Sequence, residues 1–198
     1  MQISFSESET KKNLLKAFDG ESQARNRYTF AANYCRKEKL HVIEAVFNFT
    51  ADQERAHALV FYNLLKESSG ENIAIEGTYP VDNYDNVYKL LESAKHNEFE
   101  EYDVVYKNFA EIAEQEGFVK AASSFKMIAE VEKMHGERFS MLADEVQNNK
   151  LFISDVKTKW MCLNCGHIYE GTQVPAVCPV CEHDKGFFIR LELAPFSK

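Results

Sequence analysis

Thr50–His57 (TADQERAH) and Glu130–Phe139 (EVEKMHGERF) each carry a Glu-x-x-His inside a long run with an apolar residue every three or four positions. That spacing sets the Glu and His one turn apart on the helix face that should be buried. The first run reads Ile43, Phe47, Thr50, Glu54, His57, Phe61, Leu64, and the second reads Ala122, Phe125, Ile128, Glu132, His135, Phe139, Leu142, Val146. Two further stripes share the pattern. One is Leu14, Phe18, Glu21, Ala24, Tyr28, Ala31, Cys35; the other is Val87, Leu91, Ala94, Glu98, Glu101, Val105, Ile112. Four helices are predicted, over about Glu7–Glu38, Val42–Lys66, Asp82–Glu116 and Val119–Asn148, the third with a break in its first turns. Ser8 and Asp82 are the expected N-caps. Glu67–Pro80 (ESSGENIAIEGTYP) reads as a loop and Gly117 as a tight turn.

Each stripe is apolar except for carboxylates or a histidine near its middle. An unpaired buried carboxylate costs several kcal/mol, and Glu21, Glu54, Glu98, Glu101 and Glu132 together would exceed the roughly 5–15 kcal/mol that stabilises a domain. No stripe offers a facing set of Lys or Arg, so metal ions are the expected counter-charge. The short turns make each helix pair antiparallel. Glu21 and Glu54 are then equidistant from the first turn, and Glu98 and Glu132 from a point at Gln115 beside the second, which gathers the carboxylates at one height. Glu21…Glu54-x-x-His57 and Glu98…Glu132-x-x-His135, with intervening gaps of 32 and 33 residues, read as an internal duplication. One Glu from each of two helices plus Glu-x-x-His from each of the other two is the ligand pattern of di-iron and di-manganese bundles. Oxygen with some imidazole suits iron or manganese. Glu38-x-x-His41 sits at a turn, off the core stripe, and Glu100 and Glu130 point away from theirs; none of these is expected to bind metal.

The character changes after Asn148. Cys162-x-x-Cys165 and Cys178-x-x-Cys181 form the four-thiolate pattern of a metal knuckle pair, with Cys35 left over as a core residue. Zinc ribbons share this spacing. The following Gly166, the enclosed Pro179 and the aromatics Trp160, Tyr169, Phe187 and Phe188 resemble rubredoxin, a resemblance that favours iron. Two domains are expected, 1–150 and 151–198. Beyond Leu151 five Lys/Arg balance five Asp/Glu, so the net charge of −8 lies in the helical part. An acidic chain with a pI of about 5.3 has no electrostatic case for nucleic acid or an anionic membrane. No apolar run approaches the length of a membrane span and the start (MQISFSESETKK) does not read as a signal peptide, so the cytoplasm is the expected location.

The segments AFDGESQARNRY, TADQERAH, NEFEEYDVVY and EVEKMHGERF, followed by KWMCLNCGHIYEG and PAVCPVCEHDKGFF, resemble the rubrerythrin family over nearly the whole chain. The resemblance implies a mainly α protein: a ferritin-like four-helix bundle with a small C-terminal rubredoxin-like domain. It implies that Glu54 and Glu132 bridge two irons, that Glu21 and Glu98 are terminal ligands, and that His135 binds one iron. Glu101 and His57 would exchange as ligands with redox state. Tyr28 and Tyr106 match tyrosines that orient the carboxylates; helical spacing favours Tyr28, seven residues after Glu21, while Tyr106 lies off the strict stripe and Tyr102 competes with it. Gly136 stands where a larger polar residue is expected.

The activity implied is reduction of hydrogen peroxide to water. Electrons would come from a reduced pyridine nucleotide through a separate reductase or rubredoxin and then through the four-cysteine iron. A head-to-tail homodimer, or a higher oligomer, is implied as well. Iron storage would need neither Glu101 nor the cysteine tail; an oxidase acting on dioxygen is chemically close; a zinc-ribbon scaffold leaves five core carboxylates unexplained. Zinc can substitute for iron in recombinant protein.

Overall fold

A computed structural model describes residues 3–195. The first hairpin is α1 (Glu9–Lys37) and α2 (His41–Leu64). Ser8 caps α1 as expected, its hydroxyl oxygen accepting from the Lys11 N–H at 3.1 Å. A second cap comes from far along the chain: the Glu116 carboxylate accepts from Glu9 N–H, Thr10 N–H and the Thr10 hydroxyl at 2.9, 2.8 and 2.5 Å. A negative charge at a helix N-terminus is favourable, and this one ties the two hairpins together.

After a 3₁₀ turn at Lys66–Ser68 the chain crosses the bundle without regular structure and enters α3 (Val87–Glu100). Asp82 is not the cap. Asn86 takes that role, accepting from the Lys89 N–H at 2.9 Å. Asp82 is engaged elsewhere, accepting from Asn97 Nδ2 at 2.7 Å and facing Arg27 at 3.9 Å, so the crossing segment is stapled down before the helix starts. The break in this third rod also differs from expectation. It is a π turn at Glu101–Val105, between α3 and α4 (Tyr106–Glu116), rather than an interruption in the first turns. Gly117 then adopts φ +88°, with Phe118 N–H donating to Ala113 C=O and Gly117 N–H to Glu114 C=O. This pairing of bonds closes helix ends that finish on a left-handed glycine, and α5 (Val119–Gln147) follows.

Two apolar cores lie along the bundle. One gathers Ala24, Tyr28, Ile43, Phe47, Leu91 and Phe139, with Cys35 among them. The other gathers Leu14, Phe61, Tyr106, Phe125 and Ile128. The buried Glu21, Glu54, Glu98, Glu132 and His135 occupy the level between. Gly136 is explained by packing, since a Cβ there would stand 3.1 Å from the Phe99 ring.

The tail forms a three-stranded antiparallel sheet, β1 (Ile153–Cys162), β2 (Ile168–Gln173) and β3 (Phe188–Arg190), in the order β2–β1–β3. Trp160, Cys162, Val174, Cys178 and Phe188 make its core. The tail rests on the α1–α2 turn: the His41 and Phe187 rings stack at 4.0 Å, Ile189 and Ala194 bury Val42, and Arg190 pairs with Glu145 at 3.2 Å. A Cβ on Gly186 would fall 1.9 Å from the Lys39 carbonyl oxygen, so only glycine permits this approach. No helix among the described residues is long and apolar enough to cross a membrane.

Candidate metal centres

Two sets of four side chains in the bundle place ligand atoms within 4.8 Å of one another: Glu21, Glu54, His57, Glu132 and Glu54, Glu98, Glu132, His135. They share two residues, and the sharing is atom by atom. His57 Nδ1 lies 2.9 Å from Glu132 Oε1, 3.3 Å from Glu54 Oε2 and 3.7 Å from Glu21 Oε2. His135 Nδ1 lies 2.7 Å from Glu132 Oε2, 3.0 Å from Glu54 Oε1 and 3.5 Å from Glu98 Oε2. Glu54 and Glu132 thus turn one oxygen to each half, the disposition of bridging carboxylates, while Glu21 and Glu98 each serve one half. The imidazoles face each other across the layer, centroids 5.7 Å apart.

These short distances do not meet hydrogen-bond geometry. Glu21 Oε2, both oxygens of Glu54 and Glu132, Glu98 Oε2 and the Nδ1 atoms of His57 and His135 are buried without a hydrogen-bond partner. Lone pairs that converge on common points, away from protons, fit a cation at each point. The electrostatics agree. Burial, then Glu132 and Glu54, push Glu21 well above the carboxylate range; burial and Glu54 do the same to Glu98. Against burial, the carboxylates hold His57 far above its ordinary value and His135 at about 12, while the two histidines pull Glu54 down to about 2. Divalent metal relieves this excess of negative charge.

Tyr28 donates to Glu98, and Tyr106 donates to Glu21 at 2.5 Å. Each tyrosine reaches the terminal carboxylate of the opposite hairpin. Tyr106 is buried where strict helical spacing leaves it off the stripe, because the π turn inserts one extra residue and rotates everything beyond it. Tyr102 is half-buried and lies under Lys107 and Lys133, away from the layer. Glu101 opens the π turn and stands outside both sets. It lines a cavity of about 300 Å³ with Arg27, Tyr79 and Tyr106. Burial, Glu98 and Glu132 raise its carboxyl well above the usual range, opposed by Arg27. Glu100 and Glu130 are exposed, and His41 pairs with Glu44 at 2.9 Å. Gln53 and Arg138, which the sequence reading missed, stand directly behind His135.

In the tail, the Sγ atoms of Cys162, Cys165, Cys178 and Cys181 also lie within 4.8 Å of one another. Cys162–Cys181 and Cys165–Cys178 are 3.8 Å apart, the edge of a thiolate tetrahedron with metal–sulfur bonds of about 2.3 Å. Two matching knuckles build it: Cys162 N–H donates to His167 C=O and Gly166 N–H to Cys162 C=O, while Cys178 N–H donates to His183 C=O and Glu182 N–H to Cys178 C=O. Gly166 and Glu182, the fourth residue after each first cysteine, are both left-handed, at φ 75° and 59°. The His183 N–H draws the Cys181 thiol down to about 6, whereas burial pushes Cys162 to about 12.

A helical bundle with a shared carboxylate–histidine layer, joined to a sheet holding four cysteines, defines a ferritin-like di-iron carboxylate protein with a rubredoxin-like iron centre. The family described as Rubrerythrin matches residues 12–143, and its rubredoxin-like domain matches residues 160–189. The chain belongs to the rubrerythrin family. It is 44% identical to Rubrerythrin-1 of Clostridium acetobutylicum, covering 90% of this chain and 92% of that one. It is 38% identical to a rubrerythrin of Nitratidesulfovibrio vulgaris, covering 91% and 93%. Among solved structures, fully reduced nigerythrin matches with a TM-score of 0.63 at 26% identity, covering 93% of this chain and 90% of that one.

Proposed function

We propose that this protein is a di-iron peroxidase that reduces hydrogen peroxide to water for defence against oxidative stress, with its four-cysteine iron as the electron relay. The observation that carries this reading is the presence, on one chain, of a two-metal carboxylate layer with unpaired lone pairs and a tetrahedral thiolate site suited to one-electron transfer. Iron storage would use the first and has no need of the second.

The reaction consumes two electrons and two protons per peroxide and yields two waters. The iron pair, when bound, supplies the two electrons. Glu54 and Glu132 would bridge the metals, Glu21 with His57 and Glu98 with His135 would complete the two halves, and Cys162, Cys165, Cys178 and Cys181 would hold the third iron. Tyr28 and Tyr106 orient Glu98 and Glu21 and hold protons at their Oη atoms. Glu101, lining the cavity and raised in pKa, holds a proton at its carboxyl. In the metal layer His57 is inside and Glu101 outside, one side of the ligand exchange expected between them.

Electrons would reach the four-cysteine iron from a pyridine nucleotide through a separate reductase or rubredoxin. The tail docks beside His41, 16 residues before His57, a span of about 24 Å along α2. Tunnelling falls steeply with distance, so a partner copy's tail is the better donor, which favours a head-to-tail homodimer. The absence of disulfides among the five cysteines supports a cytoplasmic location, and we divide the chain into domains 1–150 and 151–198.

The test is anaerobic stopped-flow on iron-loaded, fully reduced protein mixed with hydrogen peroxide or with dioxygen, following the visible absorption of the four-cysteine centre. Fast reoxidation by peroxide, slow by dioxygen and lost in Glu54→Ala, is expected. Equal sluggishness with both oxidants would reject the peroxidase reading in favour of iron handling.

A further inference from the structure

The two halves of the metal layer match in their ligands and differ in what stands behind them. His135 Nε2 lies 3.1 Å from Gln53 Oε1. Arg138 Nη1 lies 3.2 Å from the same oxygen and 3.1 Å from Thr50 Oγ1. A guanidinium only donates, so Gln53 presents its carbonyl oxygen there and His135 is the second donor. With a metal held at Nδ1 the imidazole is neutral and its one proton sits on Nε2, bonded to Gln53, while Nδ1 faces Glu54, Glu98 and Glu132. His57 has no counterpart. Its Nε2 makes no hydrogen bond to any described residue, and its ring is partly exposed.

The internal duplication shows where that counterpart is missing. Gln53 directly precedes Glu54, and Arg138 follows His135 by three residues. The corresponding positions in the other half are Val131, directly before Glu132, and Val60, three residues after His57. Valine side chains neither donate nor accept.

We propose that Gln53, held by Arg138, which Thr50 in turn anchors, is a positioning residue that locks His135 as the fixed imidazole, and that Val131 and Val60 leave His57 the unlocked one. The inference rests on reading the carboxylate layer as a di-iron site. An N–H···O bond behind a metal-bound imidazole fixes its orientation and raises its basicity. An amide oxygen shared with a guanidinium does so moderately; a carboxylate there would do so more strongly.

Anaerobic redox titration of the full-length iron-loaded protein tests this, with the four-cysteine centre as internal reference. Gln53→Glu should lower the di-iron midpoint potentials and Gln53→Leu should raise them, while the four-cysteine potential stays put. A purely structural role would not produce opposite signs. A second readout needs no iron. In ¹H–¹⁵N spectra of the zinc-loaded protein, His135 should show a slowly exchanging Nε2–H that Gln53→Leu abolishes. His57 should show none until Val131→Gln and Val60→Arg are introduced together. A normal di-iron couple that ignores both Gln53 variants, or moves the same way in each, would overturn the latch alone. Iron at the cysteines with no di-iron couple in the wild-type protein would overturn the reading of the carboxylate layer, and the latch with it.

Discussion

The α1–α2 hairpin and the hairpin built from α3, α4 and α5 deliver the same groups in the same order, but only the second contains a π turn. In the first, Tyr28 follows Glu21 by seven residues; in the second, Tyr106 follows Glu98 by eight. The extra residue is absorbed at Glu101–Val105, and the two tyrosines end in equivalent places, each bonded to the other hairpin's carboxylate. An irregularity in one dimension thus restores symmetry in three. It also turns Glu101 out of the ligand sets into the cavity, which the first hairpin has no residue to match. Behind the histidines the reverse holds: regular sequence positions, Gln53 and Val131, break the symmetry by residue type alone.

The sharpest way to break the comparison is to remove a residue both halves share. Glu54→Ala should lower iron affinity at both bundle positions by more than about 100-fold, since even residues behind the ligands are worth 10–100-fold. Glu21→Ala should empty chiefly the His57 half. Iron counts per chain, with the four-cysteine absorption as reference, distinguish the two; equal loss in both variants would mean that Glu54 does not bridge.

In the metal-loaded protein, Tyr28→Phe and Tyr106→Phe should each cost about 1.5–3 kcal/mol of stability in chemical denaturation, the value of a hydrogen bond to a charged group. Similar losses are expected if the π turn makes the two tyrosines equivalent. A large inequality would show that it does not.

The tail rests on the α1–α2 turn, through Gly186 against Lys39, and on the end of α5, through Arg190 and Glu145. Gly186→Ala should cost about 1–3 kcal/mol as an overpacked contact and increase hydrogen exchange around residues 38–42. The four-cysteine absorption should be unchanged, because the substitution leaves every thiolate in place.

The smallest effect concerns Glu116, which joins the hairpins. Burial alone would raise its pKa, but hydrogen bonds from the Thr10 hydroxyl, Thr10 N–H and Glu9 N–H outweigh it and hold the carboxyl below its ordinary value. A depressed folded pKa contributes stability above the unfolded value of about 4.3, and that contribution is lost as pH falls through the folded value. Glu116→Gln should therefore be about 1 kcal/mol less stable at neutral pH, with the difference vanishing in acid. Thermal melts across this range measure it; a constant difference would mean the charge is irrelevant.

The Glu and His ligand candidates, the helix pairing and the cysteine cage were legible because each depends on spacing within one helix or one knuckle, where the 3.6-residue period and the Cys-x-x-Cys turn are written directly into the chain. Ser8 was legible as a cap for the same reason. Asp82 misled because a capping residue type is free to cap only when nothing else claims it, and Asn97 and Arg27 do.

The sequence by itself determined the four-helix class, the carboxylate layer, its duplication and the thiolate site. Tertiary structure decided which tyrosine serves Glu21, where Glu101 points, that Glu116 caps α1, that Gln53 and Arg138 back His135, and that Gly186 seats the tail on Lys39. Side-chain periodicity is set by hydrogen bonds inside one helix. Contacts between helices, and the register of a rod beyond a π turn, depend on packing between elements far apart in the chain.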